Sequence, residues 1–89
     1  MKILVTGSAG FIGFHVSDYL LKNNNTVIGI DNINDYYDVN LKKSRLKILK
    51  KNKNFFFYKF DLINANKLED LIKKFKVKYI VHLAAQAGV

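Results

Sequence analysis

Apolar positions along the chain come in two textures. Lys2 to Thr6 (KILVT), Thr26 to Ile30 (TVIGI) and Tyr79 to Ala84 (YIVHLA) are nearly continuous apolar runs without a polar alternate. Runs of that length predict strands covered on both faces, as in a parallel sheet. Phe55 to Phe60 (FFFYKF) is dense in aromatic residues, which favour a pleated surface, and predicts a further strand. Between these runs the apolar residues return with a helical period. Ile12, Val16, Tyr19 and Leu20 fall at i, i+4, i+7 and i+8, which predicts a helix with those four on its buried face and an end at Asn23-Asn24-Asn25. After an irregular stretch over 32 to 37, Val39, Leu46 and Leu49, supported by Leu41 and Ile48, predict a basic helix over roughly Asp38 to Lys51. Leu68, Leu71, Ile72 and Phe75 predict a third helix, with Asn64 placed to cap it.

The resulting order is β-α-β-α-β-α-β, an α/β chain whose strands join through right-handed crossovers into a parallel sheet. This is the N-terminal half of a Rossmann-type doubly wound sheet, with expected strand order 3-2-1-4. The last strand then lacks a neighbour on one side, and an exposed apolar edge is expected there. Because the sequence stops at Ala87-Gly88-Val89 directly after that strand, residues 1–89 are expected to be the first part of one larger domain.

Three glycines sit between the first strand and the first helix. In VTGSAGFIG, Gly7, Gly10 and Gly13 recur at intervals of three, one residue wider between the first pair than the GxGxxG dinucleotide fingerprint. A strand entering a glycine turn and leaving as a helix presents bare N–H donors at the positive helix end, roughly half an elementary charge, where a diphosphate is favoured without any lysine. Asp31 closes the second strand, 24 residues after Gly7, where a carboxylate can accept from the hydroxyls of an adenosine ribose. An acid there disfavours a 2′-phosphate, which points to NAD over NADP, although Lys42 and Lys43 lie close enough in sequence to offer a counter-charge. Read alone, Asp31 could equally cap a turn. Asp61 and Leu62 follow the third strand at the same sheet edge, either for an adenine ring or as turn residues, and Leu83-Ala84-Ala85-Gln86 offers small residues beside a passing ligand or for tight packing. His82 reads as a satisfied core histidine, and no His, Asp or Glu spacing suggests a metal site.

Composition alters this picture little. The net charge is +8, but seven of the fifteen basic residues lie between Lys42 and Lys53, interrupted by Leu46, Ile48 and Leu49 as on a solvated helix face. Lys73, Lys74, Lys76 and Lys78 cluster where cations oppose the negative end of a helix. No nucleic-acid partner is therefore expected. Cysteine is absent, no signal peptide precedes the first strand, and no apolar run has membrane-spanning length, so a cytoplasmic protein without membrane contact is expected.

VTGSAGFIG, GIDNINDYYDVNLKKSRL, FDL and VHLAAQAGV together resemble the N-terminal part of the extended short-chain dehydrogenase/reductase family over essentially the whole chain. TGxxGFIG and HLAA are shared by many nucleotide-sugar epimerases and dehydratases, while residues 31–38 with Gln86 to Val89 resemble the branch that epimerises UDP-glucuronate. The resemblance implies NAD held by Gly7, Gly10, Phe11, Ile12, Gly13, Asp31, Asn32, Asn34, Asp61, Leu62, Leu83, Ala84, Ala85 and Gln86. It also implies a UDP-sugar pocket beginning at Gly88 and Val89, and a homodimeric parent. The implied reaction inverts sugar C4 by transient oxidation with bound NAD. The family's Tyr-x-x-x-Lys pair has no counterpart in this chain, where Tyr19 is followed four residues on by Asn23, so no catalytic residue is expected and the segment alone is expected to be inactive. A related dehydratase, decarboxylase or reductase, or a noncatalytic dinucleotide-binding module, remains an alternative.

Overall fold

The structure, a computed structural model, describes residues 1–33 and 39–84. Its elements are β1 (Lys2–Thr6), α1 (Phe11–Lys22), β2 (Thr26–Asp31), α2 (Val39–Leu49), β3 (Phe55–Lys59), α3 (Ala65–Phe75) and β4 (Tyr79–His82). The four strands form one parallel sheet in the order β3-β2-β1-β4, as the alternating pattern predicts. Thr6 pairs with Ile30 and His82, and Ile30 with Tyr58, so all four strands end along one line.

Alternate residues of each central strand feed two cores. Ile3, Val5, Val27 and Phe55 pack with Leu21 of α1 and with Leu46 and Leu49 of α2. On the other face Leu4, Ile28 and Ile30 meet Leu71 of α3, backed by Leu68, Ile72 and Phe75. α3 matches its sequence reading closely, and Asn64 accepts a hydrogen bond from the Lys67 N–H as its cap. Beyond its last turn Lys76 takes the left-handed conformation that ends a helix.

Two helix faces differ from expectation. In α1 the buried residues are Gly13, Ser17 and Leu21, whereas Ile12 and Tyr19 are 62% and 67% exposed. The cause is the closeness of α1 to the turn that precedes it: a Cβ on Gly13 would lie 1.9 Å from the Gly7 carbonyl oxygen. A helix drawn in that tightly rests on its small residues, and the expected stripe is turned partly away, with Leu20 still packed against the core and Val16 half-buried. In α2, Leu46 and Leu49 are buried as expected, but Leu41 and Ile48 are about half exposed and Lys42 is buried instead. The reason lies in an ion pair at the end of β2. β4 is shorter than its apolar run, and Tyr79 and Ile80 lie exposed on it at the sheet edge.

Candidate functional site

The glycine turn is built from β1 outward. Gly7 has φ +73°, a conformation L side chains rarely adopt, and a Cβ there would meet the Ala84 backbone at 2.9 Å. The Gly7 N–H donates to the Ile30 carbonyl at 2.7 Å, fastening the turn to the end of β2. The Gly10 N–H returns to the Gly7 carbonyl at 3.1 Å, after which the chain enters α1. Gly10 is the N-cap and gives no side-chain cap, and the first turn of α1 carries no acidic residue. The helix therefore opens with uncapped donors and positive potential beside an exposed Phe11 and Ile12.

Asp31, the last residue of β2, is buried and binds across the turn. Its Oδ2 accepts from the Ala9 N–H at 3.1 Å and its Oδ1 from the Ile33 N–H at 2.8 Å. Lys42 Nζ lies 3.7 Å from Oδ1, both side chains being almost entirely buried. One helical turn on, Arg45 donates from Nη1 to the Ala9 carbonyl at 3.2 Å, and its guanidinium carbon lies 5.7 Å from the centre of the Phe11 ring. The backbone of Ala9 is thus held on both sides, by β2 through its N–H and by α2 through its carbonyl.

On the opposite flank Thr6 ties β1 to the exit of β4. Its Oγ1 accepts from the N–H groups of Leu83 (2.9 Å) and Ala84 (3.2 Å) and lies 2.8 Å from His82 Nδ1. With both lone pairs taken, the hydroxyl proton goes to Nδ1, which assigns the neutral ring proton to Nε2. His82 is satisfied, as its apolar strand suggests, but it is exposed rather than in the core.

Of the residues singled out by sequence, the structure gathers Gly7, Gly10, Phe11, Ile12, Gly13, Asp31, Leu83 and Ala84 around the ends of β1, β2 and β4. Asn32 follows Asp31 on the surface. Asp61 and Leu62 lie beyond β3 at the same sheet edge, where Asp61 Oδ1 accepts from the Ile63 N–H at 3.0 Å and Leu62 packs against the α3-side core. Asn34, Ala85, Gln86, Gly88 and Val89 lie outside the described residues. Sequence reading passed over Thr6, Ala9 and Arg45, and took Lys42 as part of a solvated face. The usable signal was the three-residue spacing of Lys42 and Arg45, which puts both on one side of α2. Among the described residues no group of three or more His, Asp or Glu side chains is placed to hold a metal ion, and no helix is long and apolar enough to cross a membrane.

Comparison with known proteins matches residues 4–89 to the GDP-mannose 4,6-dehydratase family model. UDP-glucuronate 4-epimerase of Thermodesulfobacterium geofontis is 50% identical over 86 residues, which is 97% of this chain and 27% of that protein. UDP-glucuronate 4-epimerase 2 of Arabidopsis thaliana is 43% identical over the whole chain, again only 20% of its own length. The solved UDP-glucuronic acid 4-epimerase of Bacillus cereus, in complex with UDP-glucuronic acid and NAD, superimposes with a TM-score of 0.89 at 41% identity, covering 100% of this chain and 28% of that one. The dTDP-glucose 4,6-dehydratase of Bacillus anthracis, in complex with NAD, gives a TM-score of 0.84 at 34% identity over 98% of this chain and 27% of its own. The chain therefore spans about a quarter of the length of such relatives.

Proposed function

Because the chain belongs to the GDP-mannose 4,6-dehydratase family of NAD-dependent epimerases and dehydratases, we propose that it is the NAD-binding portion of a nucleotide-sugar 4-epimerase acting on UDP-glucuronate. Residues 1–89 then form the first part of one dinucleotide-binding domain, and the sugar pocket begins near Gly88 and Val89. The observation that carries this reading is the bond from the Ala9 N–H to Asp31, which sets a strand-end carboxylate beside the glycine turn.

The residues present fit a dinucleotide. Without side chains at Gly7 and Gly13 the turn closes tightly on Ala84 and on the start of α1, and the first turn of α1 offers donors that no side chain caps. Phe11 and Ile12 would give their backbone N–H groups to the diphosphate. Oδ1 of Asp31 is shared by the Ile33 N–H and Lys42, whereas Oδ2 bonds Ala9 alone and keeps an acceptor site to which a ribose hydroxyl can donate without breaking that bond. Lys42 would hold that carboxylate oriented. Leu83 and Ala84, fixed by Thr6, would line the passage toward the nicotinamide half, while Asn32, Asp61 and Leu62 face the adenosine side. Asn34, Ala85 and Gln86 complete the proposed set. When bound, NAD supplies a hydride acceptor at sugar C4 and returns the hydride to the opposite face. This chain's contribution is to bind and orient; the proton-transfer groups belong to the remainder of the protein, which we take to be a cytoplasmic homodimer without nucleic-acid partners.

The test is turnover by the full-length protein. With UDP-glucuronate supplied, UDP-galacturonate should accumulate to an equilibrium mixture, followed by proton NMR of the anomeric signals. NAD binding without that product would reject the epimerase assignment and favour a dehydratase of the same family.

A further inference from the structure

We propose that Arg45 supplies the side-chain cation for the cofactor diphosphate, an assignment that rests on the dinucleotide reading above. The turn from Gly7 to Gly13 contains no lysine or arginine, and the helix it opens has neither a capping side chain nor an acid in its first turn. Into that positive region α2 brings a second positive group. Arg45 bonds the Ala9 carbonyl in the middle of the turn and lies over the ring of Phe11, the first residue of α1, which is 66% exposed.

A guanidinium beside the positive end of a helix is an unfavourable neighbour unless an anion lies between them. Among the described residues no carboxylate pairs with Arg45: the nearby acid, Asp31, is engaged by Lys42 and two backbone N–H groups. Arg45 has five N–H donors in a rigid fork and spends one on Ala9, leaving the others for phosphate oxygens. The packing of α2 does not call for the charge, since Leu46 and Leu49 already anchor the helix in the core. A diphosphate seated on the first turn of α1 would be met by helix donors from one side and by this fork from the other.

The test uses NAD-free full-length protein and calorimetric titration with NAD, ADP and adenosine. Arg45→Gln keeps a donor for Ala9 and removes the charge; Arg45→Lys keeps the charge and alters the fork. Loss of a charge-assisted bond predicts about ten-fold weaker binding of NAD and ADP by Arg45→Gln. Adenosine affinity should stay unchanged, the salt dependence of ADP binding should become shallower, and Arg45→Lys should recover most of the loss. Equal weakening of all three ligands would mean that Arg45 acts only by holding the turn, and would overturn the assignment, as would an Arg45→Gln protein binding ADP like the parent. Wild-type protein that bound neither NAD nor ADP would instead remove the dinucleotide reading, and this assignment with it.

Discussion

Replacing Gly13 by alanine puts one methyl group where the structure has no room. The added Cβ would lie 1.9 Å from the Gly7 carbonyl oxygen, 2.7 Å from the Gly7 carbonyl carbon and 3.0 Å from the Ser8 Cα, all backbone atoms that no rotamer change can move. Contacts below 3.0 Å are essentially never tolerated, so α1 must retreat from the turn by at least about 1 Å. Alanine gains about 1 kcal/mol over glycine in helix propensity. Overpacking costs about 1–3 kcal/mol or more, and the retreat also loosens Ser17 and Leu21, which follow on the same buried face. The net expectation is a loss of up to about 2 kcal/mol, with the first-turn donors displaced. Gly10→Ala is the internal control, because its Cβ would meet the Gly7 oxygen at a bearable 3.3 Å. Thermal unfolding of the full-length protein and titration with NAD measure the two effects. Gly13→Ala should lower the unfolding midpoint and weaken NAD binding by about ten-fold or more, well beyond Gly10→Ala. A Gly13→Ala protein as stable and as tight as its parent would refute the close-approach argument.

Asp31→Asn keeps an acceptor for the Ala9 or Ile33 N–H but removes the negative charge that faces the ribose side, so the preference for NAD over its 2′-phosphorylated form should relax by about ten-fold in competitive titration, about 1.4 kcal/mol. An unchanged preference would separate Asp31 from cofactor choice. Thr6→Val removes the acceptor of the Ala84 N–H while Leu83 still reaches the Thr6 backbone carbonyl, and it should cost about 1–2 kcal/mol in chemical denaturation, with Thr6→Ser nearly neutral. Asn64→Ala should cost about 1 kcal/mol through loss of the α3 cap and leave NAD affinity untouched, a contrast that isolates local from site effects.

Strand order and the Asn64 cap were legible because they depend on patterns local in sequence: apolar runs broken by helical periods, and a polar residue one step before such a period. Asp31 was legible for the same reason, as the polar residue that ends an apolar strand. The buried face of α1 was not. Hydrophobic periodicity weighs Ile12 and Tyr19, whereas the approach distance is set by what Gly13 and Ser17 lack. Periodicity has no term for an absent side chain. Lys42 and Arg45 were hidden differently. Composition records a basic helix, but whether a long cationic side chain snorkels to water or folds back onto a carboxylate or a backbone carbonyl depends on a residue eleven or more positions away. Asp61 offered two readings, and its bond to the Ile63 N–H supports the turn role while leaving the carboxylate exposed.

The double hold on the Ala9 backbone bears on the order of assembly. Its two partners lie 22 and 36 residues further along the chain, so the turn takes its final hold only after α2 has formed. During synthesis the glycine turn leaves the ribosome long before α2 can dock. The shape of the glycine turn is thereby deferred until two strands and two helices have come together, which ties it to the docking of α2.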